Sequence, residues 1–330
     1  MRALVVLTSV LTATTLLAAG HRRAAATPAP DTTTTTTTTD ADADAADDAD
    51  PAAWLDALRD DVIADLAAGK PLVVQVHVPL CDNDILRCGN RKLGDGDNPD
   101  TNLYWGTTAG FGRWFTRKGS GWTRVLDGDG DTVGDPDVLD VLVFRRTVTA
   151  SKAWRAAGAP RRFDVYVVAE AWRGEAIDRA LDTWADDLYR ATARTITLAD
   201  GTALAAGGAA RIVAYVGHNR LMDLDDYAWP TGAGAGADAA ARKGAVAIAC
   251  HTDAYMHDEV PAADRVPLLF TRDFLFASAP PLEGAVVAFA TGGDYRAIRK
   301  AAAVSYAEPE HKSVKRVQGA FTNPGDRRWR

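Results

Sequence analysis

Two short apolar runs constrain most tightly what this chain can fold into: Ile212-Val213-Ala214-Tyr215-Val216 and Ala245-Val246-Ala247-Ile248-Ala249. Both carry β-branched side chains and are bounded by glycine or polar residues. Runs of this kind, with no polar alternation, read as strands buried on both faces, and strands covered on both faces belong to parallel sheets with helices above and below. The interval between the runs is long enough for one crossover connection, so they are expected to be neighbouring parallel strands. Each run also ends on a residue with chemistry: Gly217-His218-Asn219 follows the first and Cys250-His251 the second. In an open α/β sheet ligands gather beyond the carboxyl ends of the strands, so an imidazole and a thiol emerge at the edge where ligands bind.

The rest of the chain supplies the remaining layers. With 330 residues, 47% of them apolar and 25% charged, it can bury a full-sized core. Residues 1–26, Met1-Arg2 and a mostly apolar run to Ala19 followed by Ala24-Ala25-Ala26, read as a cleaved signal peptide; Arg22-Arg23 leaves an uncleaved anchor as the alternative. Residues 27–50 contain only Pro, Thr, Ala and Asp and read as a disordered spacer, since such a composition buries too little apolar surface to offset chain entropy. Residues 51–330 are expected to form a single α/β domain. Asp50 is the N-cap of a first helix with Leu55, Leu58, Val62 and Leu66 on its core face. Strands are predicted at 72–78, 138–148, 163–172 and 267–274, besides the two runs above. Helices are predicted through Ile177, Leu181, Trp184 and Leu188, from Pro280-Pro281 to Phe289, and from Asp294 to Glu308. The aromatics around Tyr104-Trp105, Phe111, Trp114 and Phe115 read as structural anchors under a long loop.

Charge and cysteine content narrow the partners. A net charge of −7 argues against nucleic acid and against general attraction to anionic membrane, leaving no membrane association beyond the possible N-terminal anchor. Three cysteines in an exported chain, whether periplasmic, cell-surface or secreted, permit one disulfide. Cys81 and Cys88 are close in sequence and lie in turn-rich surroundings, so they are the natural pair, and Cys250 is then the unpaired thiol.

A cysteine hydrolase needs a thiol with a base in reach and hydrogen-bond donors where an oxyanion forms. His218 and Cys250 meet the first requirement as base and nucleophile. The backbone amides of Asn219 and Cys250 are candidates for the second, with Gly217 allowing a sharp turn and Asn219 tolerating a left-handed conformation. Tyr215-Val216-Gly217-His218-Asn219 resembles the Tyr-x-Gly-His-Gly of metacaspases and other caspase-like (clan CD) cysteine peptidases, and Ile248-Ala249-Cys250-His251-Thr252 resembles their apolar block ending in cysteine. The motif order matches; Asn219 stands where those enzymes usually carry glycine, and the His-to-Cys interval is shorter than is common there. The resemblance implies a caspase-like three-layer sandwich with a mostly parallel central sheet, a His218/Cys250 dyad and a peptide or protein substrate. The chain also resembles exported bacterial proteins of unassigned function. A small cysteine buried in a core strand and a histidine capping its neighbour would leave the same sequence, which makes a catalytically inactive exported binding or scaffold domain the competing expectation, with the loop around Tyr104-Trp105 as its recognition surface.

Further residues are candidates to line the same edge: His251, Glu170 at the end of a strand, and Asp82 after the first one. His77 alternates inside a strand and reads as core. No cofactor is expected. Asp127, Asp129 and Asp131 resemble an oxygen-rich calcium loop, but the pattern fails at Thr132 and Val138, and a solvated acidic turn is the expectation. A zinc site from His218, Cys250, His251 and His257 fits no closed-site spacing.

Overall fold

The structure is a computed structural model that describes residues 50–189, 193–230, 242–261 and 263–329; the expected signal peptide and all but the last residue of the spacer lie outside them. Strands β1 (Leu72–Pro79), β2 (Thr123–Gly128), β3 (Val138–Thr149), β4 (Arg162–Trp172), β7 (Ile212–Val216), β8 (Lys243–Ile248), β9 (Arg265–Thr271) and β10 (Phe321–Thr322) form one sheet. Strands β5 (Ala193–Thr197) and β6 (Ala203–Gly207) form a separate hairpin. The helices are α1 (Pro51–Ala67), α2 (Phe111–Trp114), α3 (Gly130–Val133), α4 (Lys152–Ala156), α5 (Ile177–Tyr189), α6 (Thr252–Met256), α7 (Ala279–Ala290), α8 (Tyr295–Ala307) and α9 (Val314–Val317).

The sheet order is β10-β9-β8-β7-β1-β4-β3-β2. Strands β9, β8, β7, β1 and β4 run parallel, β3 and β2 extend the β4 edge antiparallel, and β10 closes the other edge antiparallel. The fold is therefore α/β around a mostly parallel mixed sheet. Because β1 is central, with β4 on one side and β7 on the other, the strand order reverses at the β1/β7 boundary, where α/β sheets open a crevice at their carboxyl ends.

Burial explains why the central strands are apolar throughout. Every residue of β1, β7 and β8 is buried, and full burial of a Val or Ile side chain is worth roughly 1.5–3 kcal/mol. Alternate residues serve two layers. Val74, Val76, Ala214, Val216, Val246 and Ile248 join the core under α1, α7 and α8, whereas Val213, Tyr215, Ala245 and Ala247 join Leu181, Trp184 and Leu188 of α5. That spacing is the one read from the sequence of α5, and Trp184 packs on Tyr215 with ring centroids 6.0 Å apart. Caps also fall as expected. Asp50 accepts from the Ala52 amide at 2.9 Å and Asp294 from the Ala297 amide at 2.8 Å.

The long segment after β1 is pinned by chemistry as well as packing. Cys81 and Cys88 form a disulfide. Buried Glu283 of α7 accepts from the indole N–H of Trp114 at 2.6 Å, the indole N–H of Trp122 at 3.0 Å and Arg117 Nη2 at 2.8 Å. A buried carboxylate is tolerated only with donors of this kind. Tyr104 and Trp105 are 5% and 2% exposed, so these aromatics are anchors, and the loop does not offer them as a recognition surface.

Some expected boundaries shift. The strand placed at 267–274 spans Arg265–Thr271, because the chain turns away at Arg272. Strand β2, the β5/β6 hairpin and β10 were not anticipated.

Candidate functional site

Strand register runs the chain at His218 alongside the chain at Cys250. In the parallel β7/β8 ladder Val216 pairs with Ile248, and the Gly217 amide still donates to Ile248 O at 3.2 Å. Continuing that register by two residues sets His218 opposite Cys250. The loops stay joined past the ladder, since Asn219 Nδ2 donates to Cys250 O at 2.7 Å. Cys250 faces the layer that holds Leu275, Tyr104 and Tyr306, and the His218 ring reaches Asp223. Gly217 is explained by closeness here: a Cβ would stand 2.9 Å from Pro79 Cγ at the end of β1.

The surroundings of each residue differ. Cys250 is the one unpaired thiol of the described residues, half-buried, with Sγ 3.6 Å from Leu275 O. Tyr104 and Tyr306 lie near it: burial first, and the neighbouring Cys250 with it, hold the Tyr104 hydroxyl well above the usual phenol range. Burial, then Glu310 and more weakly Cys250, push Tyr306 up to about 12. Both tyrosines therefore stay protonated beside the sulfur. His218 is mostly covered, and its Nε2 lies 2.6 Å from Asp223 Oδ2. With the carboxylate fixing the proton on Nε2, Nδ1 is the ring atom left to accept one. Asp223 is itself held by Arg220, which also pairs with Asp178 on α5.

Asn219 plays a different part from the one expected of it. Its backbone is extended, φ −78° and ψ 92°, not left-handed, because its side chain accepts from the Leu221 amide and caps the turn Arg220–Met222. The left-handed residue is His251, at φ 53°. A non-glycine residue in this region costs of order 1–3 kcal/mol and persists where the surroundings over-determine it. Buried Thr252 and Thr271 do so: their hydroxyls are 2.9 Å apart, Thr252 Oγ1 donates to Ala247 O at 3.0 Å, and the Thr271 hydroxyl donates to Ala249 O. The His251 ring stands edge-on to Phe274 with centroids 4.4 Å apart. The amide N–H groups of Asn219 and Cys250 donate to no other group among the described residues.

Two residues expected at this edge lie elsewhere. Glu170 pairs in register with His77, both fully buried on the α5 face, opposite the face that holds Cys250. There His77 Nε2 is 2.9 Å from Asp187 Oδ2, His77 Nδ1 is 3.4 Å from Glu170 Oε2, and Arg194 reaches both carboxylates. Asp82 accepts from the Asp84 amide at 2.9 Å and packs on Gly96 and Gly174, on the β4 side of β1 and away from β7.

The aspartates near 130 are committed to turns and ion pairs. Asp129 accepts from the Asp131 amide, Asp127 pairs with Arg124 at 2.9 Å, and Asp135 and Asp137 pair with Arg179. Among the described residues no group of three or more His, Cys, Asp or Glu could hold a metal ion. His257 faces Asp253 and Trp329 instead of the thiol.

Asp223 is not picked out from the sequence, although it lies five residues after His218 and fits an orienting carboxylate; Tyr104 reads there as an anchor of the aromatic loop, with no local sign that it lies near Cys250. The chain matches no protein-family model, no curated protein and no solved structure.

Proposed function

We propose that this chain is an exported cysteine hydrolase of the caspase-like type, acting on peptide or protein substrates through Cys250 and His218. One observation carries the proposal: an unpaired thiol and a carboxylate-oriented imidazole follow the carboxyl ends of adjacent parallel strands whose register sets the two residues side by side along the chain. The motif order supports the caspase-like reading, and a mostly parallel sheet is compatible with it. A disulfide suits an oxidising compartment and supports export. Among the described residues no helix is long and apolar enough to cross a membrane.

In this mechanism His218 Nδ1 takes the proton of Cys250 Sγ, and the thiolate attacks the scissile carbonyl carbon. The amides of Asn219 and Cys250 hold the oxyanion. The tetrahedral adduct collapses with cleavage of the C–N bond, and His218 returns the proton to the leaving amine. Water, deprotonated by the same ring, then releases the acyl group and regenerates the thiol. Asp223 keeps the ring in the tautomer these steps require.

The test is cleavage of a fluorogenic peptide library. The wild-type chain is expected to cleave a subset, and Cys250→Ala or His218→Ala to lower the rate by about 10³-fold or more with an unchanged melting temperature. Cleavage retained in Cys250→Ala overturns the proposal, and absence of cleavage leaves the silent binding domain.

A further inference from the structure

Helices α7 and α8 border a groove that Cys250 and His218 do not line. It has a volume of 470 Å³, and its floor is made by Gly284, Val287 and Ala288 of α7 with Ala297, Ala301 and Val304 of α8. The two helices approach closely there, since a Cβ on Gly284 would stand 2.4 Å from Ala301 O. Val304 is 47% exposed, one of the few large apolar side chains so open to water.

The rim is cationic. Arg117, Arg146 and Lys300 surround the floor. Glu283 and backbone carbonyls fix the two guanidinium groups: Arg117 reaches Glu283 at 2.8 Å and Trp114 O at 2.8 Å, and Arg146 reaches Glu283 at 3.6 Å and Ser120 O at 3.2 Å. One buried carboxylate does not neutralise three cations, so the rim is positive on a chain whose net charge is −7. An apolar floor inside a like-charged rim selects for a partner with the reverse pattern. The open shape, between two helices, suits the apolar stripe of a third.

We infer that this groove docks an acidic amphipathic helix of a partner protein, its apolar stripe on the Gly284/Ala301/Val304 floor and its carboxylates against Arg117, Arg146 and Lys300. The site is independent of the thiol chemistry proposed above.

The test uses the full chain and a fluorescein-labelled helical peptide with Leu at i, i+3 and i+7 and Glu on the flanks. A second peptide carries Lys in place of each Glu. Anisotropy titration is expected to show saturable binding of the acidic peptide, weakened by added salt and about tenfold by Lys300→Glu or Val304→Asp. Both variants lie on exposed positions and are checked for an unchanged melting temperature. Equal binding of the Lys peptide, no binding of the acidic peptide, or binding insensitive to both substitutions overturns the inference. Flotation with phosphatidylserine vesicles, if it replaces peptide binding, assigns the groove to a membrane surface and overturns it too.

Discussion

His77 and His218 are each hydrogen-bonded to an aspartate, at 2.9 Å and 2.6 Å, and both come from strands of the same sheet. They nevertheless do opposite things. His77 lies in the middle of its strand, fully buried and caged by Glu170, Asp187 and Arg194. His218 lies just past the end of its strand, where solvent begins, with a thiol as its cross-strand neighbour. A histidine–carboxylate pair is thus not a signature of chemistry. In the strand interior it satisfies buried carboxylates, and at the strand end it leaves a ring nitrogen for a proton.

The comparison breaks first on stability. His77→Leu removes the ring that is hydrogen-bonded to Asp187 and faces Glu170, both buried carboxylates, and breaking a buried pair in this way costs about 3–5 kcal/mol. His218→Ala, at a partly exposed pair, should cost about 1 kcal/mol or less. Urea unfolding of both variants measures the contrast, and equal losses would erase the distinction.

A smaller effect sharpens it through pH. Burial alone would push the His77 pKa down, but the hydrogen bonds to Asp187 and Glu170 and their charges outweigh it and hold the ring above 6.5. A histidine whose folded pKa is raised adds stability fully present below the unfolded value near 6.5, and lost as pH rises through the folded value. Unfolding free energy should therefore fall as the pH is raised above 6.5, and His77→Gln should flatten that fall. A slope unchanged by the substitution would mean that His77 is neutral in the folded chain.

What could be read from the sequence follows the range of each interaction. The strands ending at His218 and Cys250 were legible because β-branched runs bounded by glycine are a local signal, and α5 because Ile177, Leu181, Trp184 and Leu188 repeat at helical spacing. The β5/β6 hairpin carried a local signal that went unused, Asp200-Gly201 after the alternation Arg194-Thr195-Ile196-Thr197, with Gly201 at φ 83°. The fate of Glu170 was not legible. Its partner His77 joins it only through strand pairing, and Asp187 lies 110 residues from His77. Strand ends mark candidate chemistry, but which face a strand residue serves is decided by the order of the sheet.

The direct test of the central claim is the alkylation rate of Cys250. With Cys81 and Cys88 bonded to each other, it is the single reactive thiol. At pH 7 iodoacetamide should modify folded Cys250 about tenfold or more faster than an unfolded control peptide bearing the same cysteine, if His218 takes its proton as the proposed mechanism requires. His218→Ala should bring the rate down to that of the control. Equal rates for the wild-type chain and the control peptide would contradict the account.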